Sequence, residues 1–144
     1  FVNNALMELK NKLGLETYKI LFQVILTDNG IEFSLLDEIE NDENGELITK
    51  VFFCDPYKSS QKGSCERNHE FIRYVLPKGV SFDNLNQKDV DLIFSHINST
   101  PRNSLGFKTP FELFKTAFGI EVLRILNINE INKDDVHLKP ELIK

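Results

Sequence analysis

Two carboxylates in this chain stand where metal-dependent chemistry on a phosphodiester would need them. Asp28 lies in Thr27-Asp28-Asn29-Gly30, directly after an apolar run, and Glu66 lies near the start of a segment with helical periodicity, with 37 residues between the two. Carboxylate oxygens match hard divalent cations, and Mg²⁺ takes only one or two of them beside waters and phosphate oxygens. Taken singly, each residue has a plainer role. An Asp-Asn-Gly string is a good turn, and an acidic residue in the first turn of a helix is favoured by the helix dipole.

Basic and polar residues surround the second carboxylate. Lys58, Ser60, Gln61 and Lys62 precede it on a polar stretch, and Arg73 follows it by seven positions. Such residues suit contacts that position a nucleic-acid backbone without reading bases. On a helix from about Gly63 to Val75, residues Glu66, Glu70 and Arg73 share a face, with His69 beside them. Glu70 is an alternative to Glu66 as the acid.

The strings TDNGIEF and DPYKSSQKGSCERNHEFIR resemble the DDE transposases and retroviral-type integrases, in particular the insertion-sequence transposases of the IS-thirty group. In that resemblance Asp28 corresponds to the second catalytic aspartate and Glu66 to the catalytic glutamate, with Pro56, Tyr57 and Gly63 at the family's spacing before it. Arg73 matches the family's basic residue, which favours Glu66 over Glu70. Downstream, HINSTPRNSLGFKTPFELF resembles the segment that closes the catalytic domain, through Asn98, Pro101, Arg102, Leu105, Gly106, Thr109, Pro110 and Glu112. The likeness covers roughly residues 15 to 115.

The resemblance implies an α/β, ribonuclease-H-like catalytic core with extra C-terminal helices. It implies Mg²⁺ or Mn²⁺ in a two-metal site, in-line cleavage of transposon ends and strand transfer into target DNA. Lys58, Gln61, Lys62 and Arg73 would touch DNA, while Pro56, Tyr57, Gly63 and Arg102 would support the site. Nothing in the chain corresponds to the family's first catalytic aspartate. The chain is therefore expected to be a fragment of a longer transposase, truncated at its N-terminal strands and inactive alone. Two other readings compete: a non-catalytic DNA-binding or oligomerisation remnant, and a ribonuclease-H-like nuclease that hydrolyses without joining.

The elements that must position these residues follow from periodicity. A helix is expected near 2–13, ending at Gly14, then a buried parallel strand over KILFQVIL at 19–26, which would leave Asp28 at its carboxyl end. A short helix near 32–39, an acidic DENGE turn and a strand at 49–53 come next, then a loop at 56–62. Helices near 63–75, 87–98 and 110–126 complete the body, the last broken at Gly119. The core is assigned to residues 1–118 and a helical extension or tail to 119–144, with the polar stretch 127–144 expected to pack loosely or fray.

Composition sets the outer bounds. A chain of 144 residues with 41% hydrophobic content and twelve Phe can build a core. No apolar run reaches membrane-spanning length and no signal peptide is legible, so a cytoplasmic protein, associated with the bacterial nucleoid when on DNA, is expected. Cys54 and Cys65 are too few for a disulfide scaffold, and with His69 they fit no common zinc spacing. The net charge of −5 is unusual for a DNA-binding module, but six acids fall within 37–46 without a basic residue, away from the expected active face. Strands with unpaired edges would favour a homo-oligomer.

Overall fold

The computed structural model describes residues 2–27, 36–55 and 63–143. They form two compact units, residues 1–63 and 64–144. Helices dominate both, and the described residues contain one sheet, a parallel pair of strands.

The first unit is built on α1 (Val2–Leu13), α2 (Leu15–Leu21), β1 (Val24–Thr27), α3 (Leu36–Glu40) and β2 (Lys50–Phe53). Gly14 separates the first two helices at φ 79, a backbone region open to glycine and strained for larger residues. The expected strand at 19–26 is corrected here. Residues 15–21 are helical, and only Val24–Thr27 pair with β2. Tyr18, 1% exposed, stacks on Phe22 at 4.8 Å between ring centroids and holds the helix end in the core. The misreading has a physical source, because a short apolar run does not by itself distinguish a buried strand from a buried helix.

β1 and β2 pair in parallel, with Val24 opposite Lys50 and Thr27 opposite Phe53. Buried Thr49 donates its hydroxyl to the Phe22 carbonyl, and the Cys54 N–H reaches the Thr27 carbonyl at 2.7 Å, so the pairing is pinned at both ends. Glu40, at the end of α3, ties the crossover to the sheet. One carboxylate oxygen accepts the Val51 N–H at 2.9 Å and lies 3.1 Å from the Lys50 ammonium. That hydrogen bond, aided by Lys50, holds the Glu40 carboxyl below its ordinary pKa. The expected acidic turn is present: Asp42 accepts the N–H groups of Asn44 and Glu46, and Gly45 adopts φ 79.

The second unit contains nearly all of α4 (Gly63–Val75), then α5 (Gln87–Asn98), α6 (Pro110–Phe118) and α7 (Glu121–Ile125). These match the expected helices, including the break at Gly119. Val75, Leu76, Ile93 and Ile97 form the core, joined by Phe71, Ile72, Leu85, Leu138, Leu142 and Ile143. The last three belong to the segment expected to pack loosely or fray, and the structure instead packs them, partly buried, against this core. Ser95 on α5 and Ser99 just past its end accept the N–H groups of Asn129 and Ile131 at 3.0 and 2.9 Å, and His96 Nδ1 accepts that of His137 at 3.3 Å.

Candidate functional site

Asp28 and the predicted contact and support residues Pro56, Tyr57, Lys58, Gln61 and Lys62 lie outside the described residues. Thr27, the buried last residue of β1, immediately precedes Asp28 in sequence. The other predicted site residues, Gly63, Glu66, Arg73 and Arg102, are described.

Glu66 sits in the first turn of α4 and is exposed. With His69, Glu70, Arg73 and Tyr74 it lines an open concavity, so the expected shared face is present. Its carboxylate makes no ion pair or hydrogen bond among the described residues. Glu70 is engaged instead, paired with Arg67 at 3.1 Å, although an exposed pair of this kind adds little stability. Arg73 forms no ion pair with either acid among the described residues. Its guanidinium donates to the Leu76 carbonyl at 3.4 Å and lies 5.2 Å above the Phe82 ring. His69 Nε2 is 3.7 Å from the Cys65 sulfur, but the described residues contain no group of three or more potential metal ligands. Glu66 therefore has the right chemistry for one ligand of a hard cation, an oxygen donor without a partner among the described residues and open to solvent.

Arg102 makes the strongest long-range connection to this helix. Its guanidinium donates to Asn68 Oδ1 at 3.1 Å and lies 5.1 Å over the Phe71 ring. The planar cation thus holds a polar and an aromatic side chain of α4 at once, a geometry lysine does not reproduce. Burial, and then repulsion from Arg67, push the guanidinium below its ordinary pKa. Arg102 Nε is buried without a hydrogen bond among the described residues. Asn68 was not singled out in the sequence. Its partner is 34 residues away, and no local pattern encodes such a contact.

The segment carrying Arg102 closes on itself. The Arg102 carbonyl accepts the N–H groups of Leu105 and Phe107, and the Arg102 N–H reaches the Lys108 carbonyl at 3.1 Å. Gly106 takes the left-handed conformation at φ 62. Thr109 then caps α6 with Pro110 in the first helical turn, and the Glu112 side chain returns to the Thr109 N–H to complete a capping box. The spacing of Arg102, Gly106, Thr109, Pro110 and Glu112 therefore has a local structural reason at each position.

Comparison with known proteins points one way. The transposase for insertion sequence element IS4351 of Bacteroides fragilis is 38% identical over 102 residues, 71% of this chain and 30% of that protein. The probable transposase for insertion-like sequence element IS1161 of Streptococcus salivarius is 33% identical over 120 residues, 81% of this chain and 31% of that protein. Transposase InsI for insertion sequence element IS30A of Escherichia coli K12 is 38% identical over 71 residues, covering 49% and 18%. The matched stretches thus span less than a third of these relatives. No protein-family model matches the chain, and no solved structure matches it significantly. In sequence, then, this chain is a relative of the insertion-sequence transposases, those of IS30 elements among them.

Proposed function

We propose that this chain forms part of a ribonuclease-H-like DDE catalytic core that cleaves and joins DNA strands during transposition. The observation that carries the reading is Glu66, an exposed carboxylate without a partner among the described residues at the start of α4, in a chain whose relatives are transposases. A second support is β1, a parallel strand ending at Thr27, the residue that immediately precedes Asp28 in sequence, the end at which open α/β sheets present ligands.

Asp28 and Glu66 are the residues that would hold Mg²⁺ or Mn²⁺. The ions, when bound, neutralise charge on the phosphate and favour attack by an oxygen nucleophile. Arg73 contributes positive charge on the Glu66 face, and Lys58, Gln61 and Lys62 would position the DNA backbone. Arg102 fixes α4, and so the direction of Glu66, through Asn68 and Phe71. Transposon ends and target DNA are the proposed partners, and a homo-oligomer the proposed assembly. No helix among the described residues is long and apolar enough to cross a membrane.

The test uses a transposase containing this chain, assayed for joined products as well as nicks. Asp28→Asn or Glu66→Gln is expected to abolish both while leaving DNA binding nearly intact. Full joining activity in either variant removes that residue from the mechanism. Nicks without joined products in the unmodified protein point to a nuclease instead.

A further inference from the structure

Phe107 is an exposed aromatic residue in a backbone conformation that bulky residues rarely take. It is 74% exposed, the highest value among the exposed large hydrophobic residues that the structure describes, and its φ is 63, directly after left-handed Gly106. A bulky side chain at positive φ is an outlier that the surrounding structure must impose. Here the imposing structure is the closed loop. Phe107 donates its N–H to the Arg102 carbonyl at 3.0 Å, Lys108 donates to Leu105 at 3.2 Å, and Arg102 in turn donates to Lys108. The ring is thereby presented to solvent on a well-constrained loop, where burial inside the unit would have been the cheaper arrangement.

The chemistry around the ring selects its occupant. Lys108 is exposed and directly follows Phe107, with Glu112 within electrostatic reach of that lysine. Phe107 is flanked in sequence by Gly106 and Lys108, both exposed, so a cationic residue adjoins the aromatic one. A flat hydrophobic partner joined to an anion fits this arrangement, and a nucleotide is such a partner: its base offers a π-face and its phosphate lies next to it.

We propose that Phe107 stacks on a DNA base freed from its own stack, with Lys108 on the adjacent phosphate. The inference rests on the DNA-acting reading above. Arg102 links the stacking loop to α4, because its backbone closes the loop and its side chain holds Asn68 and Phe71. A base held at Phe107 is thus held by the same residue that orients the helix of Glu66.

Binding of the 144-residue chain to a labelled duplex bearing a short unpaired segment tests this, against the same DNA with abasic sites in that segment. Phe107→Asn is the informative variant, since Asn tolerates positive φ and the position is exposed. Its affinity for the unpaired bases is expected to fall about tenfold, with abasic binding unchanged, and Phe107→Trp should restore the preference. Equal affinity of wild type and Phe107→Asn for both DNAs overturns the proposal while leaving the transposase reading in place. Loss of self-association by sedimentation, without loss of base preference, overturns it in favour of a protein contact. Absence of any DNA binding by the wild type overturns the proposal and leaves the transposase reading to the strand-joining assay.

Discussion

His96 shows how one side chain reports the state of its surroundings. It is 6% exposed, its Nδ1 accepts the His137 N–H, and its ring meets the His137 ring edge-on at 5.3 Å between centroids. Burial, and then His137, lower its pKa from the ordinary value of 6.5, against an opposing pull from Asp135. Because the folded imidazole resists protonation, the unfolded state binds more protons as pH falls below about 6.5, so stability is full above that value and is lost as pH falls through the lowered folded value. Thermal melting should show stability dropping as pH falls below about 6.5. His96→Asn keeps an acceptor for the His137 N–H and removes the titration. Its melting temperature should vary less over that window, and an unchanged slope would mean that another group sets the acid limit.

At the scale of elements, α5 and α6 begin with full capping boxes, Asn86 with Asp89 and Thr109 with Glu112. Truncation of either cap leaves first-turn N–H groups without their partner, so Asn86→Ala and Thr109→Ala should each cost about 1 kcal/mol in denaturant unfolding. A cost near zero for Thr109→Ala would show that Pro110 alone sets the start of α6. These boundaries were legible in the sequence because caps, prolines and glycines act locally: the predicted limits 63–75, 87–98 and the break at Gly119 all match. The run at 19–26 was not legible, since the burial of Tyr18 and its stacking on Phe22 decide between helix and strand there, and neither shows in periodicity. The retention of residues 127–143 was equally hidden, because α5 holds that segment largely through backbone donors. Of the candidate site, the shared face of Glu66 and Glu70 could be read from helical spacing, whereas the Arg102 to Asn68 contact depends on tertiary structure.

For the whole molecule the decisive quantity is charge. Six acidic residues between 37 and 46 leave the chain at −5 despite the basic run from 56 to 78, and Asp42 is held below its ordinary pKa by the N–H groups of Glu46 and Asn44. At about 0.01 M salt the Debye length is roughly 30 Å, so in so small a protein this acidity reaches any bound DNA, whereas at about 0.15 M it is reduced to roughly 8 Å. On the DNA-acting reading, the combined change Asp37→Asn, Glu38→Gln and Glu43→Gln should raise affinity for duplex DNA severalfold in low salt and leave it almost unchanged at physiological salt. A gain that persists at high salt would instead mean that one of these acids lies in the contact itself.

The way α5 holds the final segment also sets what that segment can become over evolutionary time. Ser95, Ser99 and His96 accept main-chain N–H groups at 129, 131 and 137, a feature every amino acid but one supplies. Side chains at 129 and 131 are therefore free to drift without loosening these bonds, so that the stretch can diversify in charge and still dock. Proline is the exception, and the appearance of proline at any of the three positions would mark a lineage in which the docking had been abandoned.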